Sequence, residues 1–543
     1  MVFARRSTTL LAAIIASCAM VLSLTACTSD NKTVVDGQTT VTSNSAGGVA
    51  VFTPSDGITL NQQMPLNKWA KLVPDLAKAL ADAGFKKGDI DHTTSDSLDK
   101  QSRAIQDFVV DHLSNNTTDD SGIAIAPDNM TLLVAPVVEA DASTRQYGDY
   151  VSQNLSTNDV TDEGATSDGE SSEDDSSKDD SSNTESDSTA SDEQAQAVDR
   201  LVSSLKLAKE SGMHVVLLGN SIEGYKPDAF VKFSDAQTIG KLQAEKMVSK
   251  LKLDKASKDN PKYIEVLLPY TAMDEKGNAN DSTFAQEAFR GIWQVLGSYY
   301  QKGVVESPSG TLDGKSTEND WQAVAYDAAK EGSTAKVLDK RLAKTDGQST
   351  LTRIDGIITM NDYIASEVVK ELDDLGYTGS AADINPQITI SGIVGNITGK
   401  KDLSRDAVPD PIKSPENDNA NDSSSSDDDA DKDTSASDKD RDSQWPLVTG
   451  YGAYVSNIPS IVNGKQWMTG MEDRQTIATD IAQACAKLNK DEALNSMPSI
   501  RNSEVGGVKK IPTISEPLLA VSASNLKSAL IDPGYISLAD AGL

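Results

Sequence analysis

Three cysteines in 543 residues leave no disulfide framework to lean on. Cys18 and Cys27 belong to the amino-terminal stretch, and Cys485 sits alone in an amphipathic pattern, so the fold must hold by packing. The three histidines, His92, His112 and His214, are scattered, without metal-ligand spacing, and no nucleophile elbow accompanies them. An enzyme is therefore not expected, and neither is a cofactor. Gly314-Lys-Ser316 invites a phosphate-loop reading, but the first glycine such a loop requires is Ser309 here. Aromatic residues make up only 5% and the formal charge is −32, with no basic module. A nucleic-acid partner is excluded on those grounds, and part of the chain is expected to bury no core.

The amino terminus carries Arg5 and Arg6 ahead of a continuous apolar run from Leu10 to Leu24. That run is too short and wrongly flanked for an ordinary spanning helix, and reads as an export signal. It ends Leu24-Thr-Ala-Cys27, which looks like the lipobox of bacterial lipoproteins. The expectation is lipid on Cys27 and attachment to the outer face of the cell membrane. From Thr28 to about Asp56 the composition is small and polar, as in a flexible tether.

Two further stretches cannot build a core. Asp159 to Glu193 holds fourteen acids against Lys178 alone, and Glu416 to Asp442 holds eleven against three bases. Such segments repel themselves, so inserts spanning 155–195 and 403–444 are expected to be disordered, and they carry most of the negative charge.

Between these runs, short apolar stretches alternate with helical patterns. Examples are Thr131 to Val137, His214 to Gly219, Tyr263 to Pro269 and Gly356 to Met360 as strands, and Phe284 to Tyr300 and Trp321 to Leu342 as helices. A strand is also read at Ile58 to Gln63. Alternation at this density predicts an α/β fold of doubly wound parallel sheets, and there are too many units for one sheet. The unit from Arg353 to Tyr377 is the most informative: strand, then Asn361 and Asp362, then a helix that Gly376 stops. Polar residues just beyond a parallel strand's carboxyl end face the ligand crevice, so Asn361 and Asp362 are the first site candidates. The plainer reading makes Asp362 a helix cap.

The order of these landmarks resembles the type I periplasmic sugar-binding proteins of ABC transporters, nearest the xylose and multiple-sugar binders. The residues carrying it are Lys68-Trp69, Gly212 to Gly219, Ser234-Asp-Ala-Gln-Thr-Ile-Gly240, Ile357 to Asp362, Val448-Thr-Gly450, Ile458 to Gly464, Lys510 to Val521 and Asp532 to Tyr535. The resemblance implies two lobes joined by a three-strand hinge, with crossings near Asp235, Thr469 and Lys510. The implied division is 1–26 signal, 27–56 tether, 57–234 with 469–509 as one lobe, and 235–468 with 510–543 as the other. It also implies a carbohydrate between the lobes, an ABC permease as partner and a monomer. Trp69 and Trp321 would cover the sugar face, while Asn361, Asp362 and Asp235 would hold hydroxyls and Asn278 and Asn280 would lie opposite. Lys68, Asn220 and Tyr451 complete the candidate set.

Several positions depart from the family's pattern: Asn220-Ser221, Ala236, Gly452 after Tyr451, and Glu472 where the xylose binders use a lysine. A pocket rebuilt in this way need not take a simple pentose or hexose, and Tyr451 and Tyr454 would make it more aromatic. The competing expectation is a surface lipoprotein acting as sensor or interaction scaffold on the same framework.

Overall fold

The computed structural model describes residues 34–35, 38–39, 46–55, 65–115, 125–138, 144–156, 185–273, 280–343, 350–382 and 443–543. The chain from Ala46 to Leu543 is one compact unit. Ahead of it, Val34–Val35 and Gln38–Thr39 pair antiparallel.

Two parallel sheets organise the compact unit. The first has seven strands in the spatial order Ile500–Val505, Val508–Ile514, Ala229–Val231, His214–Leu218, Met130–Val134, Gly48–Pro54 and Ile90–Ser95. The second has four in the order Val305–Glu306, Lys262–Val266, Gly356–Ile358 and Leu447–Thr449. All pairings are parallel except the hairpin of Ile500–Val505 with Val508–Ile514. Central strands such as Met130–Val134 are buried along their whole length, because helices cover both faces. Helices Trp69–Asp82 and Arg474–Leu488 pack together on one face of the first sheet and Leu98–Asn115 and Glu185–Glu210 on the other. The predicted α/β class and its parallel sheets hold.

The chain passes between sheets at three places. Ser234 and Asp235 lead from the first sheet into the helix Ala236–Leu251 over the second. Met468–Met471 runs back toward Arg474–Leu488. The third crossing lies between Ile514 and Leu519, whose strand Leu519–Ser522 pairs antiparallel with Met468–Met471.

Four expectations change. Gly48–Pro54 is a buried strand of the first sheet, so the tether cannot extend to residue 56; a polar run upstream masked the apolar Val49-Ala-Val-Phe52. The strand expected at Ile58 to Gln63 lies outside the described residues. Lys510 belongs to the first sheet rather than to a crossing, because Gly506 and Gly507, both at positive φ, turn the chain back into a hairpin with Val505 opposite Val508. Trp321 to Leu342 is not one helix: Trp321–Val324 is a single turn, Ala325–Tyr326 pairs with Leu268–Pro269, and Gly332 at φ +71 starts the helix Ser333–Arg341. The helix Glu185–Glu210 begins inside 155–195, so the first insert ends earlier than expected. Most of both inserts lies outside the described residues.

Candidate functional site

The carboxyl ends of the second sheet's strands gather three of the candidates that the sequence singled out, Asn361, Asp362 and Tyr451. Asn361 caps the helix Asp362–Leu375 by accepting from the Ile364 N–H at 2.9 Å. The cap is thus Asn361, with Asp362 one residue inside. Gly376 ends the helix at φ +91, as its position predicts.

Asp362 has no exposed surface, and both its carboxylate oxygens are used by the protein. Gln466 Nε2 donates to Oδ1 at 2.7 Å, while the Tyr454 N–H and the Thr469 hydroxyl donate to Oδ2 at 2.9 and 2.8 Å. Burial lifts its pKa to about 6 against the opposing pull of those donors. A group so saturated orders the strand ends, and in this structure its oxygens are taken by protein donors rather than left open to a hydroxyl. The backbone at Gly450 approaches so closely that a methyl there would overlap this carboxylate.

A second buried carboxylate ties the crossings together. Glu472 accepts from the Ser234 N–H at 2.7 Å and from the Ser234 hydroxyl, and the Tyr451 hydroxyl sits 2.6 Å from that same serine oxygen. Burial raises Glu472 to about 6 despite its bonds to Ser234 and Tyr451. Tyr451 is pushed well above its ordinary value by burial and by the Glu472 charge. The expected ligand contact at Tyr451 is therefore an internal one.

The candidates from the first half are likewise held internally. Trp69 is 2% exposed, with its ring edge-on to Tyr150 at 5.0 Å and to Phe233 at 5.6 Å, so it is core rather than a sugar platform. Lys68 pairs with Asp149 at 2.6 Å. Asn220 accepts from the Gln153 N–H at 2.9 Å and donates to the Pro136 carbonyl at 2.9 Å. Asp235 caps its helix through the Thr238 N–H at 2.7 Å and pairs with Lys232 at 2.9 Å. In this structure all four are engaged by the protein itself, Trp69 by ring packing and Lys68, Asn220 and Asp235 by hydrogen bonds or ion pairs.

Open space lies beside Trp321. A cavity of about 450 Å³ is lined by Tyr270, Thr271, Trp321, Gln322, Tyr326 and Asp327, with exposed Met273 at its rim. Tyr270 and Thr271 follow Leu268–Pro269 at the carboxyl end of the second sheet, and Ala325–Tyr326 pairs beside them. The Tyr270 ring meets Trp321 edge-on at 5.1 Å. Asn280 shapes this loop: its Nδ2 donates to the Thr271 carbonyl at 2.9 Å and its carbonyl accepts from the Tyr270 hydroxyl at 3.1 Å. Asp327 accepts from the Thr271 hydroxyl at 3.0 Å and stays exposed. Asn278 lies outside the described residues.

Aromatic walls with a few hydroxyl, amide and carboxylate groups suit a small polyhydroxylated ligand, whose C–H face needs cover and whose hydroxyls need partners. Tyr270 and Asp327 were missed in the sequence. Tyr270 directly follows an apolar strand, the same signal that singled out Asn361, whereas Asp327 was hidden inside a stretch that reads as helix. Among the described residues no group of acids, histidines and cysteines is arranged to hold a metal.

No protein-family model matches the chain, and no curated protein matches it. Among solved structures it is similar to an ABC-transporter solute-binding protein from Clostridium phytofermentans with bound β-D-glucose, at 17% identity and TM-score 0.43, over 91% of this chain and 99% of that one. A carbohydrate-transporter solute-binding protein from Chloroflexus aurantiacus in complex with D-glucose gives 17% identity and TM-score 0.43, over 92% and 98%. A periplasmic ribose ABC transporter from Conexibacter woesei gives 14% identity and TM-score 0.41, over 90% and 96%.

Proposed function

We propose that this chain is a lipid-anchored extracytoplasmic solute-binding protein that captures a neutral carbohydrate or related polyol and presents it to the permease of an ABC importer. The observation that carries the reading is the cavity between Trp321, Tyr270, Tyr326 and Asp327 at the carboxyl end of parallel strands, where α/β folds bind ligands. Its lining includes no lysine or arginine among the described residues, which disfavours phosphorylated or acidic sugars. Three crossings between two sheets supply the connection about which halves close on a ligand, with closure driven by the ligand's preference for the closed form. The anchor and the membrane location rest on Leu24-Thr-Ala-Cys27. Among the described residues no helix is long and apolar enough to cross a membrane.

The test is a thermal-shift screen of the chain from Cys27 onward against mono- and oligosaccharides. A ligand present at 100 times its Kd stabilises by about 2.7 kcal/mol, which a melting curve registers readily. Neutral sugars are expected to raise the melting temperature and sugar phosphates to leave it unchanged. No response to any sugar would reject the transport reading in favour of a sensor or scaffold.

A further inference from the structure

Half of the sequence-nominated ligand contacts meet the same piece of the protein. The segment from Thr144 to Leu155 leaves the first sheet's strand ends and touches both halves of the molecule. Its later part is fixed to the first half. Asp149 accepts from Lys68 Nζ at 2.6 Å and from the Trp69 N–H at 3.1 Å, and Tyr150 donates to the Lys68 carbonyl at 2.6 Å and stacks on Phe233 at 4.6 Å. Gln153 is held by Asn220 and by the Ser221 N–H, and Asn154–Leu155 pairs with Ser221–Ile222.

Its earlier part is seated in the second half. Asn361 Nδ2 donates to Gln146 Oε1 at 3.1 Å, and the Tyr454 hydroxyl donates to the Gln146 carbonyl at 2.7 Å. The Tyr147 ring is buried 4.6 Å from Phe284 and 6.2 Å from Tyr451, within the second half's apolar core.

Lys68, Trp69, Asn220, Asn361 and Tyr451 are thus all engaged by residues 146–153. We infer that this segment is a strap: anchored on Lys68, Trp69 and Asn220, it seats Gln146 and Tyr147 against Asn361, Tyr454 and Phe284, holds the two halves together, and must withdraw before a solute entering beside Trp321 reaches Asn361 and Tyr454. The competition with solute rests on the carbohydrate-binding reading; the clamping of the two halves does not. The chemistry is consistent, because the side-chain and backbone carbonyls of Gln146 present acceptors to Asn361 and Tyr454 and the Tyr147 ring presents a flat apolar face to Phe284, as the oxygens and C–H face of a sugar would. A strap docked in all but about one molecule in ten weakens apparent affinity tenfold, since only the undocked fraction binds.

The test compares the full mature chain with a Gln146→Ala/Tyr147→Ala double variant and with Tyr454→Phe, which removes only the hydroxyl bond to Gln146. Small-angle scattering without ligand should show a larger radius of gyration in the double variant and a smaller increase in Tyr454→Phe. Calorimetry with D-glucose and D-xylose should show about tenfold tighter binding in the double variant for whichever sugar wild type binds. Unchanged scattering in both variants overturns the strap, as does unchanged affinity where wild type binds. Expanded variants with no sugar binding in any chain would support the strap as a clamp and sink the carbohydrate reading.

Discussion

Trp69 and Trp321 are both fitted by the sequence to cover a sugar face and both are buried, yet only Trp321 borders open space. Trp69 is wedged between Tyr150 and Phe233 in the first half's core, whereas Trp321, 9% exposed and packed into the second half's core, also meets Tyr270 edge-on and lines the cavity. The difference lies in a neighbour, because Tyr150 arrives on the strap to close the space over Trp69. Among the described residues no comparable segment fills the space beside Trp321. Whether an aromatic ring at a strand end becomes core or platform is decided by what another part of the chain brings to it.

The contrast breaks most easily at Trp69. Trp69→Ala should cost about 3–5 kcal/mol, as for other buried tryptophans, read as a lowered urea midpoint. Trp321→Ala should cost less, about 2–3 kcal/mol, because part of its ring already borders the cavity. Equal losses at the two positions would erase the distinction. Next comes the pair Asp362 and Asp327. Asp362→Ala strands the Tyr454 N–H and the donors from Gln466 and Thr469, and should lose about 2–4 kcal/mol. Asp327→Ala, at an exposed site, should stay within about 0.5 kcal/mol while weakening sugar binding.

The two buried carboxylates sharpen the comparison through pH. Asp362 and Glu472 both sit at about 6, raised by burial from 3.8 and 4.5. A carboxylate with a raised folded pKa binds its proton more tightly when folded, so its stabilising contribution is full below the unfolded value and disappears as pH rises through 6. Between pH 7 and pH 4.5 each should add about 2 kcal/mol. Glu472→Gln should lose its share of that gain, measured as the change in melting temperature over this range relative to wild type. Identical pH profiles for the two chains would contradict it. The smallest effect belongs to Lys68→Ala, which removes a half-buried ion pair with Asp149 and should cost about 1 kcal/mol or less by chemical denaturation.

Much of the framework was legible because it follows from local rules. Apolar runs such as Met130–Val134 can only be strands covered on both faces, and Asp235, Asn361 and Gly376 mark helix ends by their own chemistry. Gly506-Gly507 between Val505 and Val508 was an equally local hairpin signal, obscured by placing a crossing near Lys510. The site was less legible because its occupancy depends on contacts far apart in sequence. Nothing near Asp362 announces that Gln466 and Thr469 will take its oxygens, and nothing near Asn361 announces Gln146. Residue type identified groups able to hold a hydroxyl; only packing determined which of them the protein keeps for itself.

The most direct measurement is a calorimetric titration of Trp321→Ala and of Trp69→Phe with a sugar that stabilises wild type. A ligand held against the Trp321 cavity predicts at least about a tenfold weaker Kd for Trp321→Ala, a loss of about 1.4 kcal/mol, and wild-type affinity for Trp69→Phe. Unchanged affinity in Trp321→Ala, or loss only in Trp69→Phe, would contradict it.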